Sequence, residues 1–271
     1  MKGGKTMAMN THFRVRADVV RWIIEHSDFD QLTEEWQLRI LRWLEKDVRP
    51  SVQQIKQVSD KLGVPFNYFF LSETPVEDVP LLELRTIRGE REPSRNLTEV
   101  LLGMEEQQKE LSSQRERQGF GFCRFLGGGV GSHEEPKVIA MKLLERLGLY
   151  HDWVFQRDPQ QRFESLQRAL TKLRVVVIQS GFVRDDAARK LDPNEFRGFV
   201  MLDDFAPLIF VNANVTWSEK LVVLAHEAVH AWFETSELFD ASDELRQDFR
   251  DWEQERQVYN VTRALLLGSY L

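Results

Sequence analysis

Residues 226–230 read HEAVH, two histidines four apart with a glutamate directly after the first, set in the apolar run LVVLAHEAVHAWF. On an α-helix, positions i and i+4 lie one above the other, so His226 and His230 can offer ring nitrogens to a single metal ion. Glu227 projects about 100° around the helix from His226. From there it can reach a metal-bound water without displacing a ligand, which metal-dependent peptide hydrolysis requires of its general base. The plainer alternative is a buried helix with two structurally satisfied histidines. The flanks are apolar almost all round, however, so a charged glutamate among them needs a purpose.

A catalytic zinc keeps three protein ligands and one open position, so a third ligand is expected downstream of His230. The candidate oxygens are Glu234, Glu237, Asp240, Asp243, Glu244, Asp248, Asp251, Glu253 and Glu255. Glu234 and Glu237 follow too closely to fold back onto their own helix face without a tight reversal. A carboxylate on a second, antiparallel helix can face the first directly, which favours Glu253 or Glu255. Glu255 shares a helix face with Val258, Tyr259, Thr262 and Leu266, a largely apolar set expected to pack inward. Glu253 lies roughly 200° around the same helix, so the two cannot both face the metal. A solvated acidic face is the competing explanation of this patch. One zinc ion per chain is expected, although two histidines and a carboxylate also accept manganese or iron. Tyr259 is a candidate oxyanion stabiliser, with a merely packed tyrosine as the plainer reading.

These residues need elements to hold them. In residues 136–271 two helical patterns, VIAMKLLERL and RFESLQRALTKL, precede three β-rich runs, RVVVIQ, RGFVMLD and PLIFVNA. Thr216 with Glu219 then reads as a capping box for the HEAVH helix, and a long helical stretch, DELRQDFRDWEQERQVYNVTRALLLGSYL, closes the chain. This order suits an α+β peptidase core, in which a small, mostly antiparallel sheet offers its edge to an extended substrate as an added strand.

Residues 1–75 read as a compact, all-helical module. Apolar stripes run through Val19, Val20, Ile23 and Ile24, then Trp36, Ile40, Trp43 and Leu44. A third helix, capped by Ser51, carries Val52, Ile55, Val58 and Leu62 and stops at Gly63 and Pro65. Residues 76–135 read as a linker with one amphipathic helix (Leu97, Val100, Leu101, Met104, Gln108). The glycine-rich GFGFCRFLGGGVGSHEEP lacks the GK[ST] of a phosphate loop and reads as a flexible connection.

Composition narrows the function classes. With 36 basic against 43 acidic residues the net charge is −7, which does not recruit nucleic acid or anionic membrane. The single cysteine, Cys123, excludes an intramolecular disulfide framework and reads as a buried small hydrophobe. No apolar stretch approaches the ~20 residues of a membrane span, and the N-terminus lacks the apolar block of a secretory signal. A cytoplasmic location is expected.

HEAVH with its downstream glutamate gives the chain a resemblance to the ImmA/IrrE family of zinc metallopeptidases, in the form that carries an N-terminal XRE-like helix-turn-helix. The segment EFRGFVMLDDFAPLIFVNANVTWSEKLVVLAHEAVHAWFETSELFD resembles that family's sheet, metal helix and following loop. SVQQIKQVSDKLGVPFNYFFL followed by VPLLELRT resembles its N-terminal module and linker. The resemblance implies a zincin-like domain and zinc-dependent cleavage of a helix-turn-helix repressor, with His226 and His230 as ligands, Glu227 as base and Glu255 as third ligand. There are departures. The family places an asparagine four residues after its ligand glutamate, where this chain has Tyr259 and puts Asn260 fifth. The final helix ends LLLGSYL without the family's longer tail, from which lower stability or a more open site is expected. The stretch between Trp22 and Trp43 is a few residues shorter than the family's helix-turn-helix.

The leading expectation is therefore a zinc endopeptidase acting on a partner protein. The alternative is a catalytically weak or inactive regulator whose N-terminal helices contact DNA or a repressor. Residues 1–80 hold 11 Lys and Arg against 12 Asp and Glu, without the basic footprint of an autonomous DNA binder. Arg39, Arg42, Lys46 and Arg49 could form a small basic stripe, which a solvated helix face explains equally well. Protein recognition is the favoured role for this module.

Overall fold

Val19, Val20 and Ile23 recur at helical spacing and lie fully buried in α1 (Ala17–Glu25). The computed structural model describes residues 12–27, 29–45, 48–75, 93–149, 151–235, 238–239 and 252–267, with the backbone alone at 151–152, 238–239 and 252–253. The candidate carboxylates from Asp240 to Asp251, Glu237, the VPLLELRT stretch and the side chain of Glu253 lie outside these residues. The chain divides into two units, residues 1–79 with 93–99, and residues 80–92 with 100–271.

Among its described residues the first unit's elements are helices and 3₁₀ turns, with one isolated antiparallel bridge between His12 and Ser51. After α1 come α2 (Glu34–Leu41), which tightens into a 3₁₀ turn at Arg42–Leu44, and α3 (Val52–Leu62). A 3₁₀ turn at Phe66–Phe70 follows. Ile40, Trp43, Ile55, Val58, Leu62 and Phe69 join the α1 residues in one apolar cluster. Two of the unit's cations lie over one indole, Arg39 at 4.3 Å and Lys61 at 4.8 Å from the Trp36 ring centre, and Arg39 also pairs with Glu35 at 3.2 Å. Part of the basic stripe is thus engaged within its own helix.

The second unit carries the sheet. Helices α4 (Arg95–Arg117), α5 (Pro136–Leu147), α6 (His151–Phe155) and α7 (Pro159–Lys172) precede it. Strands β4 (Gly198–Met201) and β5 (Leu208–Asn212) fall within two of the expected runs, and β1 (Val176–Ser180) falls on the third and extends one residue past it. A two-stranded hairpin, β2 (Phe182–Val183) with β3 (Asp186–Lys190), projects between them and was not expected. Its alternation is hidden because β3, DAARK, carries no large apolar residue and is exposed or half-buried throughout. The main sheet has the order β1-β5-β4-β6, where β6 is Leu238–Phe239. β5 runs parallel to β1 and antiparallel to β4, and β6 is antiparallel to β4.

Every residue of β4 and β5 is buried, which explains their continuous apolar runs. Phe199 and Phe210, paired across these strands, stack with ring centres 5.1 Å apart and planes 4° from parallel. Each such ring contributes about 1.5–3 kcal/mol by leaving water. Helix α8 (Trp217–Phe233) packs on β4 and β5 and between α7 and α9 (Trp252–Leu267), and α9 also packs on α5.

Residues 100–135, part of the linker expected over 76–135, are built into this unit. Gln108 is buried and donates its Nε2 to the carbonyls of Met201 at 2.8 Å and Ala206 at 3.1 Å. Cys123, a buried hydrophobe as expected, donates its backbone N–H to Asp204 O, and Phe125 is fully buried. A Cβ on Gly128 would stand 2.3 Å from the Trp232 ring, and one on Gly129 2.5 Å. Glycine here makes room for an indole. The expected flexible connection is a packed loop because the ring it contacts lies about 100 residues later, beyond the reach of local pattern.

Candidate metal centre

Helix α8 starts where Thr216 accepts the Glu219 N–H at 3.3 Å and the Glu219 carboxylate accepts the Thr216 N–H at 2.9 Å. This capping box satisfies two of the backbone groups a helix N-terminus leaves open. From Val223 to Trp232 every side chain is buried, and that run contains His226 at 4 %, Glu227 at 0 % and His230 at 1 % exposure. Three polar groups thus sit in an apolar layer, where burial is unfavourable unless each is paired or binds a cation.

Gly198 of β4 explains how the sheet approaches this point. A Cβ there would stand 2.4 Å from Val223 Cγ1 and 2.8 Å from Phe210 O, and 3.7 Å from Glu227 Cγ. The absent side chain lets β4 pass directly beside Glu227. The same Gly198 pairs with Phe239, and Phe199 with Leu238, so the chain itself occupies this part of the sheet edge.

Helix α9 supplies the third group. Glu255 Oε1 lies 3.1 Å from His230 Nε2, Glu255 Oε2 lies 3.7 Å from His226 Nε2, and the two Nε2 atoms are 3.0 Å apart. One ligand atom from each of the three residues fits within 4.8 Å of the others. Burial, and then the neighbouring His230, push the His226 imidazole down to about 3 against the raising effect of Glu255. It is therefore neutral at neutral pH, with a lone pair to give. Two imidazoles and one carboxylate converging through lone-pair atoms fit a divalent cation. The Glu255 side chain, 25 % exposed, is the most accessible of the three, and the rest of the site is closed to bulk water in this conformation.

On α9 the buried set is Val258, Val261, Thr262 and Leu265, with Leu266 partly buried. Glu255 sits at the edge of that set. Tyr259, expected on the same inward face, is 57 % exposed and so is not a packed tyrosine. Among the described residues no hydrogen bond joins its hydroxyl to the other three groups.

One participant escaped the sequence. Thr235, just past the end of α8, places its Oγ1 2.7 Å from His230 Nδ1. Its only sequence signal is a threonine five residues after a candidate ligand histidine, where a helix must turn back. A cavity of about 490 Å³ is lined by Gly128, Lys142, Glu145, Arg146 and Trp232. No protein-family model, curated protein or solved structure matches this chain.

Proposed function

We propose that the protein is a zinc-dependent endopeptidase that hydrolyses a peptide bond in a partner protein, with a zincin-like second unit of the ImmA/IrrE kind. The observation that carries this reading is the convergence of His226 Nε2, His230 Nε2 and a Glu255 carboxylate oxygen within 4.8 Å, with Glu227 next in the chain. His226, His230 and Glu255 would hold the ion. When bound, zinc supplies Lewis acidity, polarising a carbonyl and lowering the pKa of water toward ~7. Glu227 accepts a proton from the attacking water as its oxygen bonds to the scissile carbonyl carbon. It returns that proton to the amine nitrogen as the C–N bond breaks. Tyr259, one turn beyond Glu255 and exposed, is the candidate donor to the developing oxyanion.

The substrate proposed is a helix-turn-helix repressor, whose cleavage relieves repression. The first unit then serves protein recognition rather than DNA binding, since residues 1–80 carry 11 basic against 12 acidic groups and offer little counterion release. The proposed target is a cytoplasmic partner; no helix among the described residues is long and apolar enough to cross a membrane.

The test is elemental analysis of the purified chain, followed by incubation with the helix-turn-helix proteins encoded beside it. About one zinc per chain and a discrete cleavage product are expected. Glu227→Gln should retain the metal and lose at least ~10²-fold in cleavage rate. A zinc-loaded wild type that cleaves none of these proteins, or a Glu227→Gln variant within a few fold of wild type, overturns the proposal.

A further inference from the structure

Helix α8 is capped at its C-terminus by Glu234, whose φ of 56° and ψ of 45° are left-handed, a conformation unusual for a residue with a side chain. The reversal folds the next residue back over the last turn. Thr235 donates its backbone N–H to His230 O at 2.9 Å, and its hydroxyl lies 3.3 Å from that same carbonyl and 2.7 Å from His230 Nδ1. The turn has outside support, because Gly127, itself at φ 72°, leaves the space in which the Glu234 carboxylate sits; a Cβ there would be 2.6 Å from Glu234 Oε1.

A hydroxyl has one hydrogen to give. Directed at the His230 carbonyl, it leaves an oxygen lone pair facing Nδ1, and that contact is a hydrogen bond only if Nδ1 carries the ring hydrogen. Nε2 is then bare. It faces Glu255 Oε1 at 3.1 Å, and two lone-pair atoms at that separation call for a cation between them.

We propose that Thr235 is a positioning residue that holds His230 as its Nδ1–H tautomer, so that the Nε2 lone pair is presented to a divalent cation shared with His226 and Glu255. This rests on the metal-centre reading above. Hydrogen bonds of this type from a ligand histidine's second nitrogen fix ring orientation and raise ligand basicity, and their loss typically weakens metal binding ~10–100-fold. A threonine that merely closed the helix would act through its backbone N–H alone, which any residue but proline supplies at 235.

The experiment compares full-length wild type with Thr235→Val, which keeps the branched shape and loses the hydroxyl, and Thr235→Ser, which restores it. Zinc affinity is read by competition with a chromophoric chelator, and the His230 ring hydrogens by ¹⁵N-resolved NMR of the zinc-loaded proteins. Thr235→Val should bind zinc ~10–100-fold more weakly, with Thr235→Ser within about threefold of wild type. The wild type should show a slowly exchanging His230 Nδ1–H that exchanges fast in Thr235→Val. Equal zinc affinity in wild type and Thr235→Val overturns the assignment to Thr235, as does a zinc-loaded wild type without a hydrogen on His230 Nδ1. A wild type that binds no zinc overturns the metal-centre reading itself, and this inference with it.

Discussion

Helices α3 and α8 are built from the same terminal parts and differ in what lies between them. Each begins with a reciprocal capping box, Ser51 with Gln54 and Thr216 with Glu219, and each ends in a left-handed residue, Gly63 at φ 62° and Glu234 at φ 56°. Between those ends α3 is one-sided. Ile55, Val58 and Leu62 face its core, and its buried polar side chain, Ser59, turns to Val64 O at 2.7 Å just past its own end. Helix α8 is buried throughout from Val223 to Trp232, and its two histidines point toward each other and toward Glu255 of α9. The difference teaches how to read buried polarity. A polar group that closes its own helix is structural, whereas a set that converges through lone-pair atoms from two helices is arranged for something to be held.

The widest separation between the two helices should come from their buried polar groups. His226→Ala is expected to weaken zinc binding by at least ~10²-fold, since only two protein ligands remain. Ser59→Ala should leave zinc content at the wild-type level. Elemental analysis of both variants after dialysis decides it, and full occupancy in His226→Ala would dissolve the contrast.

In their apolar faces the helices should behave alike. Ile55→Ala and Leu224→Ala, both at sites fully buried, are each expected to destabilise by about 2–5 kcal/mol, because the lost packing leaves a cavity that closes only in part. Urea titrations measure this. A loss under 1 kcal/mol at either site would show that its surroundings collapse around the smaller residue.

The C-terminal residues should respond with opposite signs. Gly63→Ala forces a side chain into the left-handed region and should destabilise by about 1–2 kcal/mol. Glu234→Gly removes that same strain and should stabilise by up to ~1 kcal/mol. If Glu234→Gly instead lowers the melting temperature, the carboxylate seated at Gly127 contributes more than the backbone strain takes away.

The smallest contrast is one of pH. Ser51→Ala and Thr216→Ala should each lose about 1 kcal/mol at pH 7. Hydrogen bonds from the Thr216 hydroxyl and then its backbone N–H hold the Glu219 carboxyl below its ordinary 4.5. Its contribution is therefore complete above 4.5 and fades as pH falls through the lower folded value. Gln54 does not titrate, so the loss in Ser51→Ala should stay constant between pH 7 and pH 3 while that in Thr216→Ala shrinks. Thermal melts across that range, with parallel behaviour of the two variants, would remove the distinction.

What could be read in advance follows the range of the interactions. Helix α8 announces itself through Thr216, Glu219 and an unbroken apolar run, all within one local window, and β1, β4 and β5 do so through short apolar runs. Glu255 could be narrowed to one of two by helical period alone, because a 200° step separates it from Glu253. The period was less sure at its edges, where Tyr259 falls outward. The packing of Gly128 and Gly129 on Trp232, and the return of Thr235 onto His230, depend on tertiary contacts or on a single backbone reversal. Neither leaves a periodic trace.

Helix α9 is held at two distant points. Near Glu255, Gln257 donates its Nε2 to Ser132 O at 3.1 Å. At the other end the Arg162 guanidinium, stacked 4.6 Å from the Trp153 ring centre, donates to Leu266 O at 2.7 Å. A helix behaves as a stiff rod in which each residue of slippage turns every side chain by about 100°. Two pins nine residues apart therefore act as an angular lock, and the aim of the Glu255 carboxylate is set in part by an arginine nearly a hundred residues upstream.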